Sequence, residues 1–228
     1  MPVEVVFVIF PGVTQLDFTG PAQVLARMPG ARIHIAANNC DPVATDCGFA
    51  IVPTTGFASC LQADILCVPG GHGVRDALQD GACLPFIAAQ APGARWVTSV
   101  CTGAFLLGAA GLLEGRRATC HWAYTELLPL VGAVAAEGRV VEDGNLITAG
   151  GVTSGIDFAL MLVARQTDEN TARAIQLALE YDPAPPFAGG HPRTSPPATT
   201  RLLRRVTYDA AMTAMREALE KRGTAFTR

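Results

Sequence analysis

The stretch TSVCTGAFLLGAAG (residues 98–111) joins a short apolar strand to a helix, with one cysteine at the junction. The strand covers residues 96–100, and Cys101 follows it directly. A side chain at such a sharp strand-to-helix turn is pushed out above the sheet, as in a nucleophile elbow. The helix N-terminus points free N–H groups at the sulfur, which favours the thiolate and predicts a lowered thiol pKa. A buried, inert cysteine is the other interpretation, and position alone leaves both open.

Around this junction, short apolar runs alternate with helical patterns. The pattern predicts an α/β fold, with a mostly parallel central sheet and helices on both faces. Strands are predicted over residues 5–10, 32–36, 65–68, 96–100 and 146–148 and near residue 118, with a hairpin over 43–52. Helices are predicted over residues 21–27, 84–91, 123–130, 156–165, 169–180 and 199–221.

The composition excludes several classes of protein. Only 16% of the 228 residues are charged and the net charge is -3, so no electrostatic attraction to nucleic acid or an anionic membrane is expected. No apolar run reaches the roughly 18 residues that a membrane span needs, and no signal peptide is visible. Seven cysteines without a Cys-x-x-Cys pair are typical of reduced thiols. We expect a soluble, cytoplasmic protein.

The chain divides near residue 187. Residues 1–187 are predicted to form one α/β catalytic domain. Residues 188–228 are predicted to form a proline-rich connection followed by an amphipathic helix. The connection begins within residues 182–197, which hold six of the sixteen prolines. We expect that helix to pack on the body of the protein or on a partner subunit.

Two further strand ends are expected beside Cys101, because the carboxyl ends of parallel strands open onto one edge of a sheet. Asp17 follows the first strand, where it is either a helix cap or a carboxyl that handles protons. Its apolar neighbours favour a raised pKa. Gly70 and Gly71 follow the strand at 65–68, where they form either a plain turn or, with the N–H of Thr102, a donor pocket for negative charge.

The histidines show no metal-ligand spacing, so no metal site is predicted. His121 begins a predicted helix and could face the site edge. A Cys–His pair is not established by the sequence, and a structural or substrate-lining role is favoured for His121.

Several segments together resemble the superfamily of PfpI-type proteases and glutamine-amidotransferase-like proteins, and within it the isocyanide hydratases. Cys101-Thr102-Gly103 is shared across the superfamily, whereas Asp-x-Thr-Gly-Pro and Leu-Glu-Tyr-x-Pro-x-Pro-Pro-Phe are more specific. The matching segments are QLDFTGPAQVLA, VPGGHG, TSVCTGAFLLGAAGLLEGRRAT, HWAYTELL, GNLITAGG, GIDFAL and QLALEYDPAPPF.

The resemblance implies a homodimeric, flavodoxin-like sandwich with Cys101 as nucleophile and Asp17 beside it. Proteolytic members have a histidine directly after the cysteine, where this chain has Thr102, so a protease is disfavoured. The implied substrate is a small isocyanide, which is hydrated through a cysteine-bound thioimidate to an N-substituted formamide. No cofactor is implied. The predicted catalytic residues are Cys101, Asp17 and Thr102, the donor pocket is Gly71 and Thr102, and the substrate pocket is His72, His121, Gly150, Gly151 and Val152.

Two other functions stay open. Similar domains occur in regulators that carry DNA-binding helices, but the single helix predicted after the proline-rich connection leaves no room for a helix-turn-helix pair. A redox or stress sensor that oxidises Cys101 is the second alternative.

Overall fold

A seven-stranded sheet forms the centre of the protein. The computed structural model describes residues 2–226, with side chains as far as residue 222. Its strands in chain order are β1 (Val3–Val8), β2 (Ala31–Ala37), β3 (Val43–Ala44), β4 (Ala50–Ile51), β5 (Thr55–Gly56), β6 (Ile65–Val68), β7 (Trp96–Val100), β8 (Arg117–Ala118), β9 (Val134–Ala135), β10 (Val140–Asp143) and β11 (Leu146–Ala149).

Helices follow most of the long strands. The α-helices are α1 (Gln15–Leu25), α2 (Val74–Ala77), α3 (Cys83–Gln90), α4 (Gly103–Ala109), α5 (Ser154–Gln166), α6 (Glu169–Ala178), α7 (Pro197–Leu203) and α8 (Asp209–Phe226). Three short 3-10 segments lie at Phe57–Ser59, Ala91–Gly93 and Thr125–Val131, and a π-helical turn lies at Arg204–Tyr208.

The strand order places a crevice in the middle of the sheet. The order is β10-β11-β7-β6-β1-β2-β5, and all neighbours are parallel except β10 and β11. The chain moves from β1 to β2 in one direction and from β6 to β7 in the other, so the order reverses between β1 and β6. Ligands collect at the carboxyl ends of strands beside such a reversal. The predicted α/β class is confirmed.

Two helix layers cover the sheet. Helices α1, α5 and α6 pack on one another, and α4 packs against α2 and α3. Helix α1 connects β1 to β2, and α4 lies in the connection from β7 to β11, which runs in the opposite direction across the sheet. Because both crossovers are right-handed, α1 and α4 lie on opposite faces of the sheet. The central strands are buried on both faces: Val5, Val6, Phe7 and Val8 of β1 are each fully buried, which explains the continuous apolar run in the sequence.

The helix that carries Asp17 begins earlier than predicted. We expected it over residues 21–27, whereas α1 covers Gln15–Leu25 with Pro21 in its interior. Proline normally disrupts a helix interior because it cannot donate to the preceding turn. Here the ring of Pro21 packs directly against Gly155 of α5, because a Cβ at residue 155 would lie 3.0 Å from Pro21 Cδ. Asp17 is therefore a residue of the first helical turn, and the cap position is held by Thr14.

Two other helix predictions need correction. The helix predicted over residues 123–130 is a 3-10 segment at Thr125–Val131, which contains Pro129 and is followed by the left-handed Gly132. The helix predicted over residues 199–221 consists of α7, the π turn and α8. Strands β5, β9 and the four-residue β10 were not predicted, and β8 pairs with β9 outside the main sheet. Strands β5, β8 and β9 have two residues each, and such short strands carry little periodic signal.

The last helix packs on the body of the protein. Helix α8 contributes three buried side chains to the apolar core that contains the sheet, namely Met215, Ala218 and Leu219. It contacts the 3-10 segment Thr125–Val131 and α2. The division at residue 187 stays a prediction. Within residues 2–226, no helix combines the length and the apolar character that crossing a membrane requires.

Leu219→Ala is expected to lower the free energy of unfolding by about 2–4 kcal/mol, because it removes buried methyl groups and leaves a cavity. Denaturant unfolding followed by circular dichroism measures this difference. Leu177→Ala is the control, because Leu177 is 82% exposed, and its effect should stay within about 0.5 kcal/mol. Equal stability losses in the two variants would contradict the packing of α8 described above.

Candidate active site

Cys101 lies at the turn between β7 and α4 with a left-handed backbone. Its φ is 58°, a conformation that a non-glycine residue adopts only at some energetic cost. Its N–H donates to two carbonyl oxygens, those of Ala149 at 3.0 Å and Gly150 at 2.8 Å. Gly103 allows α4 to begin directly against the end of β6, because a Cβ at that position would overlap the carbonyl oxygens of Val68 and Pro69. The predicted sharp strand-to-helix turn at Cys101 is confirmed.

The sulfur of Cys101 is buried, and this changes its expected ionisation. Burial raises the pKa of Cys101 well above its ordinary value, and the nearby Asp17 carboxylate raises it further. The backbone N–H groups of Thr102 and Val152 act in the opposite direction by donating to the sulfur. The predicted lowering of the thiol pKa is therefore wrong, because loss of hydration outweighs the hydrogen bonds at the helix start.

Asp17 is the second member of this buried pair. Its side chain is almost inaccessible, and burial raises its pKa from 3.8 to about 7. The N–H of Gly70 donates to Oδ2 at 2.9 Å and, with the Cys101 thiol, partly offsets that rise. Oδ1 is buried and has no conventional hydrogen-bond partner among the described residues. Asp17 can thus hold a proton near neutral pH, as its apolar neighbours predicted.

Asp46 supports Asp17 from the β3–β4 hairpin. Its carboxylate accepts hydrogen bonds from the Thr14 hydroxyl at 2.7 Å and from the N–H of Gln15 at 3.4 Å, at the start of α1. Its own N–H donates to the carbonyl of Val13 at 3.1 Å. The charge of Asp46 also raises the pKa of Asp17. The sequence carries no sign of this role, since the hairpin lies about thirty residues from α1.

The paired glycines hold the site in a way that differs from the predicted donor pocket. The N–H of Gly71 donates to Thr102 Oγ1 at 3.0 Å, and that hydroxyl faces the Gly71 carbonyl oxygen at 3.3 Å. The Gly71 backbone and the Thr102 hydroxyl are therefore hydrogen-bonded to each other. A Cβ on Gly70 would lie 2.5 Å from the N of Thr102 and 3.0 Å from Asp17 Oδ2, so close approach requires glycine there. The N–H of Gly70 donates to the Asp17 carboxyl, and the N–H of Val152 donates to the Cys101 sulfur.

An aromatic cluster lies on the other side of the site. The ring of His121 lies 5.0 Å from that of Tyr208 between centroids, and its Nε2 is 3.5 Å from the Tyr208 hydroxyl. Trp122 and Tyr124 complete the cluster. Burial lowers the pKa of His121 to about 4, so its ring is neutral near pH 7. Burial raises the pKa of Tyr208, and the neighbouring Cys101 raises it further.

A cavity of about 780 Å³ adjoins the site. Four of the predicted pocket residues line it, namely His121, Gly150, Gly151 and Val152, together with residues 190–193 from the C-terminal part of the chain. Cys101 lies directly behind this lining, because its N–H donates to the carbonyl oxygen of the lining residue Gly150 at 2.8 Å. His72 is exposed and does not line the cavity, because the turn after Gly71 directs it elsewhere.

No group of three or more His, Cys, Asp or Glu side chains is placed to hold a metal in the part of the chain that the structure describes. The site contains a buried thiol with two backbone N–H donors, those of Thr102 and Val152, and a buried carboxyl with one, that of Gly70. Such a pair can form a covalent bond through sulfur while the carboxyl moves a proton.

Comparisons with known proteins agree on one family. The model of the DJ-1/PfpI family matches residues 3–165. A curated isonitrile hydratase from Pseudomonas putida is 50% identical over 205 residues, which are 90% of each chain. A ThiJ/PfpI family protein from Pseudomonas syringae has a TM-score of 0.92 and 39% identity, covering 96% of this chain and 91% of that one.

A more distant solved structure shares only the fold. Drosophila melanogaster DJ-1beta has a TM-score of 0.69 at 23% identity, covering 79% of this chain and 98% of its own.

Gly70→Ala is expected to lower the free energy of unfolding by about 1–3 kcal/mol, because the new methyl group overlaps the backbone of Thr102. It should also change the alkylation rate of Cys101 by iodoacetamide, followed by peptide mass spectrometry. Gly190→Ala is the matched control, since a Cβ there meets nothing within 4 Å. Indistinguishable behaviour of the two variants would contradict the close approach at Gly70.

The raised pKa of Asp17 gives a pH dependence of defined sign. The folded protein keeps this proton up to about pH 7, whereas the unfolded chain loses it near pH 3.8, so Asp17 stabilises the fold less as pH rises through that window. Relative to wild type, Asp17→Asn should therefore gain roughly 2–4 kcal/mol in the free energy of unfolding between pH 4 and pH 7.5.

Asp46→Asn is the companion variant for this measurement. It removes a negative charge that raises the pKa of Asp17, so the upper end of the window should move to lower pH. Urea unfolding at several pH values measures both effects. A stability difference between Asp17→Asn and wild type that does not vary with pH would contradict the raised pKa.

Proposed function

We propose that this chain, which belongs to the DJ-1/PfpI family, is an isonitrile hydratase. It converts an isocyanide, R–N≡C, to an N-substituted formamide without a cofactor. The observation that carries the proposal is the buried pair of Cys101 and Asp17, in which the carboxyl has a pKa of about 7. The 50% identity to the curated hydratase supports it.

In the first half of the reaction, sulfur bonds to carbon. The sulfur of Cys101 attacks the terminal carbon of the isocyanide, and the thiol proton passes through the Asp17 carboxyl to that same carbon. The product is a thioimidate, R–N=CH–S–Cys101. Because the site is buried, the thiol keeps its proton until substrate arrives, and the carboxyl is the nearest group able to move it.

In the second half, water replaces sulfur. Asp17 in its ionised form accepts a proton from water as the oxygen adds to the thioimidate carbon, and it passes that proton to the nitrogen. The C–S bond of the tetrahedral species R–NH–CH(OH)–S–Cys101 then breaks to give R–NH–CHO, and the hydroxyl proton returns through Asp17 to the Cys101 sulfur. One carboxyl therefore serves as acid and then as base, which requires a pKa close to the working pH.

Thr102 acts in this scheme through its backbone. Its N–H donates to the sulfur and stabilises negative charge there, while its hydroxyl holds the Gly70–Gly71 turn that presents a donor to Asp17. A protease of this family pattern would need a histidine base after the nucleophile. His121 does not replace it: its Nε2 faces Tyr208, and its Nδ1 accepts from the N–H of Ala123 at 3.3 Å.

The proposal includes a homodimer in the cytoplasm. Leu202 and Val206, on α7 and the π turn, leave apolar side chains 52% and 64% exposed. A second copy packed on this surface would remove them from water. Seven free cysteines fit a reducing compartment.

Cys101→Ala is expected to abolish formamide production from cyclohexyl isocyanide, and Asp17→Asn should lower kcat by about 100-fold or more, since general acid–base catalysis contributes that much. The product is measured by chromatography against authentic N-cyclohexylformamide. Cys40→Ser is the matched control and should retain full activity, because Cys40 is exposed and does not line the cavity beside Cys101.

The same samples separate the redox alternative from hydration. A sensor would convert Cys101 to the sulfinate in dilute peroxide, seen as a mass increase of the intact protein, and would make no formamide. Wild-type protein that forms no formamide while its Cys101 stays reduced would overturn the proposed function.

A further inference from the structure

We propose that the cavity beside Val152 binds the R group of the isocyanide, and that Arg204 in it recognises a carboxylate on that group. The inference rests on the proposed function and specifies the substrate class: small isocyanides that carry a carboxylate. It concerns residues beyond the part of the chain that the family model matches, which ends at residue 165.

The cavity is placed to hold a substrate side chain. One wall is the loop Gly150 to Thr153, in which Val152 donates its N–H to the Cys101 sulfur. Another wall comes from Gly190 to Arg193 and from Thr200 and Arg204. A linear isocyanide group that reaches past Val152 to the sulfur therefore leaves its R group between these walls. The volume of about 780 Å³ lies within the range of small-molecule sites.

The charges around the cavity favour an anion. Three arginines line it, and Glu137 is the one carboxylate among the described lining residues. Arg139 is neutralised by Asp157, with Nε 2.5 Å from Oδ2, and Arg193 lies 3.8 Å from Glu137. Two of the three positive charges thus have partners supplied by the fold.

Arg204 is different. Its guanidinium lies over the ring of Trp122, 5.5 Å from the centroid, and it forms no ion pair with a carboxylate among the described residues. Stacking on the indole restricts the guanidinium and leaves its edge N–H groups free to donate. A planar, half-buried guanidinium matches the two oxygens of a carboxylate, and such charge-assisted pairs are stronger than neutral hydrogen bonds.

Two substrates that differ only in charge test the inference: isocyanoacetate and its methyl ester. Formamide production by the full-length enzyme gives kcat/KM for each, and the ratio of acid to ester is the readout. Arg204→Gln should lower this ratio about tenfold or more, because it removes the charged partner. The ratio for Arg204→Lys should lie between those of wild type and Arg204→Gln, since lysine keeps the charge but loses the planar geometry.

Arg201→Gln is the matched control, because Arg201 lies on α7 one turn away, is exposed and does not line the cavity. Its ratio should equal that of wild type. An unchanged ratio in Arg204→Gln, with the ester still hydrated by wild type, would overturn the inference and leave the proposed function intact. Failure of wild type to hydrate either substrate would instead remove the proposed function and this inference together.

Discussion

The left-handed backbone at Cys101 is the constraint on which the site depends. A non-glycine residue with a φ of 58° costs on the order of 1–3 kcal/mol, and it persists only when its surroundings compensate. Here two carbonyl oxygens at the end of β11 bind its N–H, and α4 begins in direct contact with the end of β6. The strained residue is thus held by strands on both sides of β7. The same geometry fixes the sulfur between the N–H groups of Thr102 and Val152.

Burial decides how this sulfur can react. An exposed cysteine at a helix start would ionise readily, but here the low polarity of the site raises the pKa values of both the thiol and Asp17. The proton therefore stays within the pair until a substrate carbon can accept it. This arrangement suits addition to an isocyanide, in which sulfur and proton end on the same carbon.

The C-terminal part of the chain belongs to the main core and to the cavity wall, so it is more than an appendage to the α/β domain. Helix α8 buries Leu219 in the main core, and the π turn places Tyr208 on His121 and Arg204 on Trp122. A π turn inserts one residue into a helix and redirects the side chains that follow, and such turns are frequent at functional sites. The segment after the prolines thus forms a wall of the cavity beside the elbow as well as packing on the body.

The sequence by itself determined the α/β class, the position of Cys101 at a strand-to-helix junction and the raised pKa of Asp17. These features follow from local periodicity and from the apolar neighbours of each residue. The tertiary structure alone decided the thiol pKa, the hydrogen bonds from Asp46 to α1 and the place of Tyr208, which lies 87 residues from His121. Periodic patterns report on one element at a time, whereas burial and hydrogen bonding depend on which distant elements meet. For the same reason the sequence did not show that the N–H of Gly71 donates to Thr102 Oγ1 or that the N–H of Gly70 donates to Asp17.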